Sequence, residues 1–141
     1  MDFMDLLRLS REGFQCAQIL MLYALKLEDK ENADLIRSMG GLNVGLSTGE
    51  GPCGALTGGC CLISYFAGKG DPEELEDPAL KKMLAEFVGW FREKYEGQYG
   101  SFICLEVLEG DRKNMTSRCP EIMQSCYGKA LEILQENGAL D

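Results

Sequence analysis

Apolar residues recur every three or four positions along most of the chain, and no stretch shows sustained two-residue alternation of apolar and polar side chains. The first spacing is typical of helices with one buried face, whereas the second would be typical of half-buried strands. Together with the glycine and proline signals at segment ends, the pattern predicts helices over residues 3–9, 14–28, 31–39, 52–68, 78–95, 101–110 and 119–138. We therefore predict an all-α fold of six or seven helices, in one domain covering residues 1–141.

Two of these predicted helices carry more apolar surface than a single face. The helix over residues 14–28 is apolar nearly all round, and such a helix usually lies at the centre of a bundle. The helix that starts at Pro78 has an apolar face and, in addition, the apolar stretch around Trp90. That second surface would suit a contact between two copies of the chain, so a homodimer is among our expectations.

Glycine is concentrated between residues 40 and 59. A phosphate-binding loop would need Gly-Lys-Ser/Thr, or a strand before a Gly-x-Gly-x-x-Gly motif, and neither is present. Gly54 and Gly58 are four residues apart, on one face of the helix predicted to begin at Pro52. We expect Gly54, Ala55 and Gly58 to permit close helix packing, with room for a small group to approach Cys53.

The composition excludes several classes of function. The chain has a formal net charge of −9, and an acidic surface repels phosphate backbones, so we expect no nucleic-acid partner. It contains no histidine, which excludes Ser-His-Asp catalysis, Cys-His catalysis and zinc sites with imidazole ligands. Seven cysteines remain as the residues through which chemistry would run.

The ends of the chain and its apolar runs bear on location. The first residues show no basic segment followed by an apolar core and a cleavage site, as a secretory leader would. The longest apolar run falls far short of the roughly 20 residues that span a bilayer. We therefore expect a cytoplasmic protein without membrane insertion, whose thiols are reduced at rest or cycle between two states.

Three cysteines are predicted to lie where helices begin: Cys53 after Pro52, Cys104 after Ser101, and Cys119 before Pro120. The first turn of a helix has unpaired N–H groups and a partial positive charge, which favours a thiolate and lowers its pKa. On this argument Cys53 would be the most reactive thiol.

The other four cysteines are predicted to lie within helices. Cys16 falls inside the second predicted helix, while Cys60, Cys61 and Cys126 fit the apolar core positions of theirs. A small buried hydrophobe is the ordinary role of a free cysteine. We therefore expect Cys60, Cys61 and Cys126 to be buried and dispensable for chemistry.

Several motifs resemble the redox-active protein family C_GCAxxG_C_C. Residues Cys53-Gly54-Ala55-Leu56-Thr57-Gly58 match its Cys-Gly-Ala-x-x-Gly core, and Cys16-Ala17-Gln18 resembles its upstream Cys-Ala-Gln. Cys104 and Cys119 match the two downstream cysteines. The resemblance implies that Cys16, Cys53, Cys104 and Cys119 are the functional residues.

Four separated cysteines are compatible with three functions. As dithiol pairs they would exchange disulfides or electrons with an unidentified redox partner. As converging thiolates, Cys16, Cys53, Cys104 and Cys119 would hold an iron–sulfur cluster or another metal. As core residues they would belong to a non-catalytic helical interaction module. No C-x-x-C spacing selects among these, so whether the protein is an enzyme stays open at this point.

Overall fold

In the computed structural model, which describes all 141 residues, the chain forms seven α-helices and no strand. The helices are α1 (Phe3–Arg11), α2 (Cys16–Leu27), α3 (Ala33–Met39), α4 (Gly54–Ala67), α5 (Leu80–Phe91), α6 (Cys104–Val107) and α7 (Met115–Glu136). Helix α5 continues through a π-helical turn, Arg92–Glu96, and a last helical turn, Gly97–Tyr99. The predicted all-α class and helix number are confirmed. None of the helices is both long and apolar enough to cross a membrane.

The core forms where α4 packs against α2, α5 and α7. Helix α2 has buried residues on nearly every side, as its all-round apolar sequence predicted. The largest fully buried side chains include Tyr95, Phe87 and Phe91, which join the α5 region to α4 and α7. Each large apolar side chain buried in this way contributes about 1.5–3 kcal/mol relative to its exposed state. Because α2 and α4 pack at the centre of this core, the positions of their first residues are fixed.

Helices α2 and α4 pack closely because α4 presents glycines to α2. A Cβ atom added to Gly58 would lie 2.8 Å from Ala17 Cα, and one added to Gly54 would overlap Cys16 Sγ. On the neighbouring face, a Cβ on Gly59 would overlap the ring of Phe87. The close packing predicted from Gly54 and Gly58 is therefore present, and it brings α2 and α4 together at their amino ends.

The segment between α3 and α4 contains a left-handed turn. Four successive residues have positive φ, from Val44 (53°) through Gly45 (58°) and Leu46 (61°) to Ser47 (66°). Left-handed backbone costs about 1–2 kcal/mol per non-glycine residue, and more for a β-branched residue such as valine. Surrounding contacts must hold this turn, and they include the residues of the candidate site.

The predicted starts of the four helices that carry cysteines need correction. Helix α2 begins at Cys16, because Gly13 has a φ of 99° and Gln15 is extended as its N-cap. Helix α4 begins at Gly54, because the N–H of Cys53 is donated to Phe102 O instead of entering the helix.

The remaining two corrections lie in the carboxyl-terminal third. Helix α6 begins at Cys104 with Ile103 as its N-cap, because Ser101 Oγ accepts the N–H of Ile103 and so caps no helical residue. Helix α7 begins at Met115, after a 3₁₀ turn whose start is capped by the Asp111 side chain.

Candidate functional site

Four segments that are far apart in sequence bring their cysteines to one region. Cys16 is the first residue of α2, Cys53 is the N-cap of α4, and Cys104 is the first residue of α6. Cys119 lies inside α7, one turn past its start. Three of the four cysteines thus lie at helix starts. The sequence predicted these three to be Cys53, Cys104 and Cys119, whereas in the structure they are Cys16, Cys53 and Cys104.

Cys53 and Cys104 are joined by a short antiparallel bridge between Pro52 and Ile103. The N–H of Cys53 donates to Phe102 O at 2.8 Å, and the N–H of Cys104 donates to Gly51 O at 2.9 Å. These two hydrogen bonds align the starts of α4 and α6 side by side. Both cysteine side chains are buried, each with 7% of its surface exposed.

Cys16 approaches the same place from α2. Its sulfur fills the space beside Gly54, where we had expected room for an incoming group. The backbone amides of Val44, Ala17, Cys16 and Gly54 each lower the pKa of Cys16. The sulfur of Cys16 therefore faces the amino ends of both α2 and α4.

Cys119 completes the group from α7. It packs against a small buried cluster formed by Val44, Cys104 and Leu108, and also against the main core. Both Cys119 and Cys16 are partly exposed, in contrast to Cys53 and Cys104. The site is therefore open to solvent at Cys16 and Cys119.

Burial is the largest influence on all four thiols, and it raises the pKa of each. After burial, negative charge on the neighbouring thiols raises the pKa further: Cys16 and Cys104 act on Cys53, and Cys16 acts on Cys104. All three act on Cys119. The pKa values of Cys53 and Cys119 reach about 12. Every pair among the four is thus close enough to interact electrostatically.

These shifts run against the sequence-based prediction of a lowered pKa at helix starts. The amides of Ala55 and Leu56 do lower the pKa of Cys53, but burial outweighs them. A cation, Arg112, lowers the pKa of Cys104, and burial outweighs this effect as well. At neutral pH all four cysteines are protonated thiols in the resting protein.

The remaining cysteines do not all have the burial that we predicted. Cys126 is fully buried, as expected, whereas Cys60 and Cys61 are only partly buried on α4. All seven cysteines are free. Cys126 is also close enough to Cys53 for the charge of Cys53 to contribute, after burial, to its raised pKa.

The side chains do not form a preassembled metal site. No group of three or more Cys, Asp or Glu side chains is arranged to hold a metal ion. A tetrathiolate site needs four sulfurs converging on one point at metal–sulfur distances of about 2.3 Å. As arranged, the four cysteines lie near one another but do not form such a cage.

Sequence reasoning missed one residue that shapes this region, Asn43. It is 4% exposed, and its Oδ1 accepts the N–H of Ala17 at 3.0 Å and that of Gln18 at 3.3 Å. Its position in the glycine-rich segment, and Gln18 in the Cys-Ala-Gln motif, were the available signals. The hydrogen bonds between Asn43 and Gln18 are visible only in the tertiary structure.

The model of the family described as "Putative redox-active protein (C_GCAxxG_C_C)" matches residues 14–133. The chain belongs to the C_GCAxxG_C_C family. No curated protein and no solved structure gives a significant match.

The structure explains why two motifs of the C_GCAxxG_C_C protein are linked. The Cys-Gly-Ala-x-x-Gly segment forms the N-cap and first turns of α4, and Cys16-Ala17-Gln18 forms the first turn of α2. Gly54 packs against Cys16, and Gly58 packs against Ala17. The glycines of the Cys-Gly-Ala-x-x-Gly motif thus leave the space that Cys16 and Ala17 of the other motif occupy.

Proposed function

We propose that this C_GCAxxG_C_C protein carries out thiol–disulfide exchange with a redox partner through Cys16, Cys53, Cys104 and Cys119. The observation that carries the proposal is the meeting of four free thiols from four segments, with every pair close enough to interact. No histidine is present to support another nucleophile. Membership of a family described as redox-active supports the same class of chemistry.

The reaction needs only two of the thiols and a disulfide, R–S–S–R, on a partner protein or small molecule. One cysteine thiolate attacks a sulfur of the disulfide, forming a protein–S–S–R mixed disulfide and releasing R–S⁻. A second cysteine thiolate then attacks the protein sulfur, forming an intramolecular disulfide and releasing the second R–S⁻. Two electrons pass from the protein to the partner, and the two cysteine protons end on the two released thiolates. The reverse sequence reduces the protein.

Burial suggests where the exchange begins. A partner's disulfide can contact the partly exposed Cys16 and Cys119, whereas Cys53 and Cys104 are enclosed. The attacking species is the thiolate, so the raised pKa values slow the reaction of the free protein at neutral pH. A partner that supplies a nearby cation or opens the site would lower the pKa and speed the reaction. We place this reaction in the cytoplasm, where thiols are kept reduced between cycles.

The proposal is tested by counting thiols during oxidation. Reduced protein, purified without oxygen, is treated with an oxidised small dithiol, quenched in acid, alkylated after unfolding and analysed by mass spectrometry. We expect thiols to disappear in twos, and the lost ones to be among Cys16, Cys53, Cys104 and Cys119. Cys53→Ser is a suitable variant because serine is a good N-cap for α4, and it should abolish one of the disulfides.

The matched control is Cys60→Ser, which changes a partly buried cysteine on the same helix. It should leave the pattern of lost thiols unchanged. Disulfides confined to Cys60, Cys61 or Cys126 would contradict the proposal. Brown protein with stoichiometric iron and sulfide would instead favour the metal-binding alternative, and protein with no oxidisable pair would favour an interaction module.

A further inference from the structure

We infer that Asn43 is a positioning residue of the cysteine site, whose side chain holds the left-handed turn Val44–Ser47 closed against Cys16 and Cys104. This role rests on the proposed function, because it treats Cys16 as a reacting thiol. Contacts on both sides of Asn43 support this role.

The side-chain amide of Asn43 both accepts and donates hydrogen bonds. Oδ1 accepts the N–H groups of Ala17 and Gln18, two first-turn donors of α2 that have no partner within the helix. Nδ2 donates to Gln18 Oε1 at 3.0 Å. Asn43 thereby caps a helix that begins 27 positions earlier in the chain and fixes its own backbone against that helix.

Gln18 extends this anchor to α3. Its Oε1 also accepts the N–H of Gln15 at 3.3 Å, and its Nε2 donates to Ile36 O at 3.2 Å. The segment that leads from α3 into Asn43 is therefore held at two points. Asn43 links this network to the next residue, Val44.

The left-handed turn that follows Asn43 has contacts with two cysteines. The Val44 amide lowers the pKa of Cys16, and a Cβ on Gly45 would lie 2.6 Å from Cys104 Cβ. Val44 itself is buried with Cys104 and Leu108. Strained backbone persists only where the surroundings determine it strongly, and the three hydrogen bonds of Asn43 supply that restraint immediately before the turn.

Asn43→Ala removes all three hydrogen bonds and frees the turn to relax. More of the Cys16 side chain should then be exposed to water, and because burial is the main cause of its raised pKa, its thiolate should become more abundant. We expect alkylation of Cys16 at pH 8 to become at least about tenfold faster, since local opening governs such reactions. Alkylation of the fully buried Cys126, measured in the same sample, reports global unfolding and should not change.

Two variants separate positioning from a general loss of stability. Asn32→Ala also removes an asparagine cap, since Asn32 Oδ1 accepts the N–H of Leu35 in α3, but it should leave Cys16 alkylation unchanged. Asn43→Asp keeps the acceptor for the α2 amides and should restore most of the protection of Cys16. Equal acceleration at Cys16 and Cys126, or no acceleration at Cys16, would overturn the inference.

A measurement on the unmodified protein covers the case in which Asn43→Ala does not fold. The amides of Ala17 and Gln18 should exchange hydrogen at least about tenfold more slowly than that of Asp34, whose N–H in the first turn of α3 has no acceptor. Fast exchange at Ala17 and Gln18 would refute the role of Asn43. If Asn43 controls Cys16 access but no disulfide forms on oxidation, the positioning role stands and the exchange reaction falls.

Discussion

At Cys53 two influences on a single thiol oppose each other. The helix start favours the thiolate, through the amides of Ala55 and Leu56, but a helix terminus contributes at most about 2 kcal/mol, even where the group is partly buried. Since a change of one pKa unit corresponds to about 1.4 kcal/mol, the terminus can lower the pKa by no more than about 1.5. Burial and the neighbouring Cys16 raise the pKa to about 12. Desolvation therefore decides the protonation state of this residue.

This balance predicts the order in which the thiols of the free protein react. With a pKa of about 12, Cys53 is ionised to roughly one part in ten thousand at pH 8. Cys61 is partly exposed, and its pKa is raised by burial alone. We expect iodoacetamide to modify Cys61 faster than Cys53 at pH 8, and the rate at Cys53 to keep rising above pH 10. The sites and rates are measured by mass spectrometry.

A faster reaction at Cys53 than at Cys61 would mean that its thiolate is stabilised more than burial allows. The helix start would then influence the pKa of Cys53 more strongly than burial does. Alkylation of Cys126 in the same samples serves as the control for unfolding, because that side chain is fully buried.

At the scale of elements, the site depends on how closely α2 and α4 approach. Gly54 and Gly58 lie on the same face of α4 and receive Cys16 and Ala17 of α2. Any larger residue there would push the two amino ends apart and separate their cysteines. The glycines therefore serve helix packing, and through it they bring the thiols together.

Gly58→Ala should destabilise the protein and disturb the site. The added Cβ would meet Ala17 Cα at 2.8 Å, and a backbone atom cannot move aside without moving its helix. We expect the free energy of unfolding in urea to fall by about 1–3 kcal/mol, the usual cost of overpacking a core. Under the proposed function, oxidation of Cys16 to a disulfide should slow in the same variant.

Gly128→Ala is the matched control, since Gly128 lies inside α7 with nothing within 4 Å of an added Cβ. Alanine there should raise the free energy of unfolding by about 0.5–1 kcal/mol, because it restricts the unfolded chain and favours the helix. If Gly58→Ala were as stable as Gly128→Ala, the close crossing of α2 and α4 would be refuted.

At the scale of the whole molecule, burial keeps the cysteine thiols and several tyrosine hydroxyls in their neutral form. Burial raises the pKa of all seven cysteines and of Tyr23, Tyr65, Tyr95 and Tyr127. In the unfolded chain the same groups ionise at their ordinary values. Between the two pKa values, the folded protein therefore binds more protons than the unfolded one.

The stability of the protein should consequently fall as the pH rises above about 9. The contribution of each raised pKa is fully present below the unfolded value and is lost as the pH rises towards the folded value, about 12 for Cys53 and Cys119. Urea unfolding in the presence of a reductant should show lower stability at pH 10 than at pH 7.5. Cys53→Ser should show a smaller decrease, and a decrease as large as that of the unmodified protein would contradict the role of Cys53.

Local patterns in the sequence determined much of this molecule. The 3.6-residue apolar periodicity is a property of each segment, so it correctly predicted an all-α fold and a central α2. The spacing of Gly54 and Gly58 likewise predicted close helix packing, because both lie within one helix. The cysteine motifs led to the family without knowledge of the fold.

Only the tertiary structure decided the character of the cysteines. Whether Cys16 or Cys119 begins a helix depends on distant contacts, such as the cap that Asn43 supplies to α2. The direction of the pKa shift at Cys53 depends on how much of the packed interior surrounds it and on the charge of Cys16, which lies 37 positions earlier in the chain. Desolvation sums contributions from every neighbour in space, whereas a helix start is a local feature. A sequence shows the local feature directly, and folding supplies the neighbours that outweigh it.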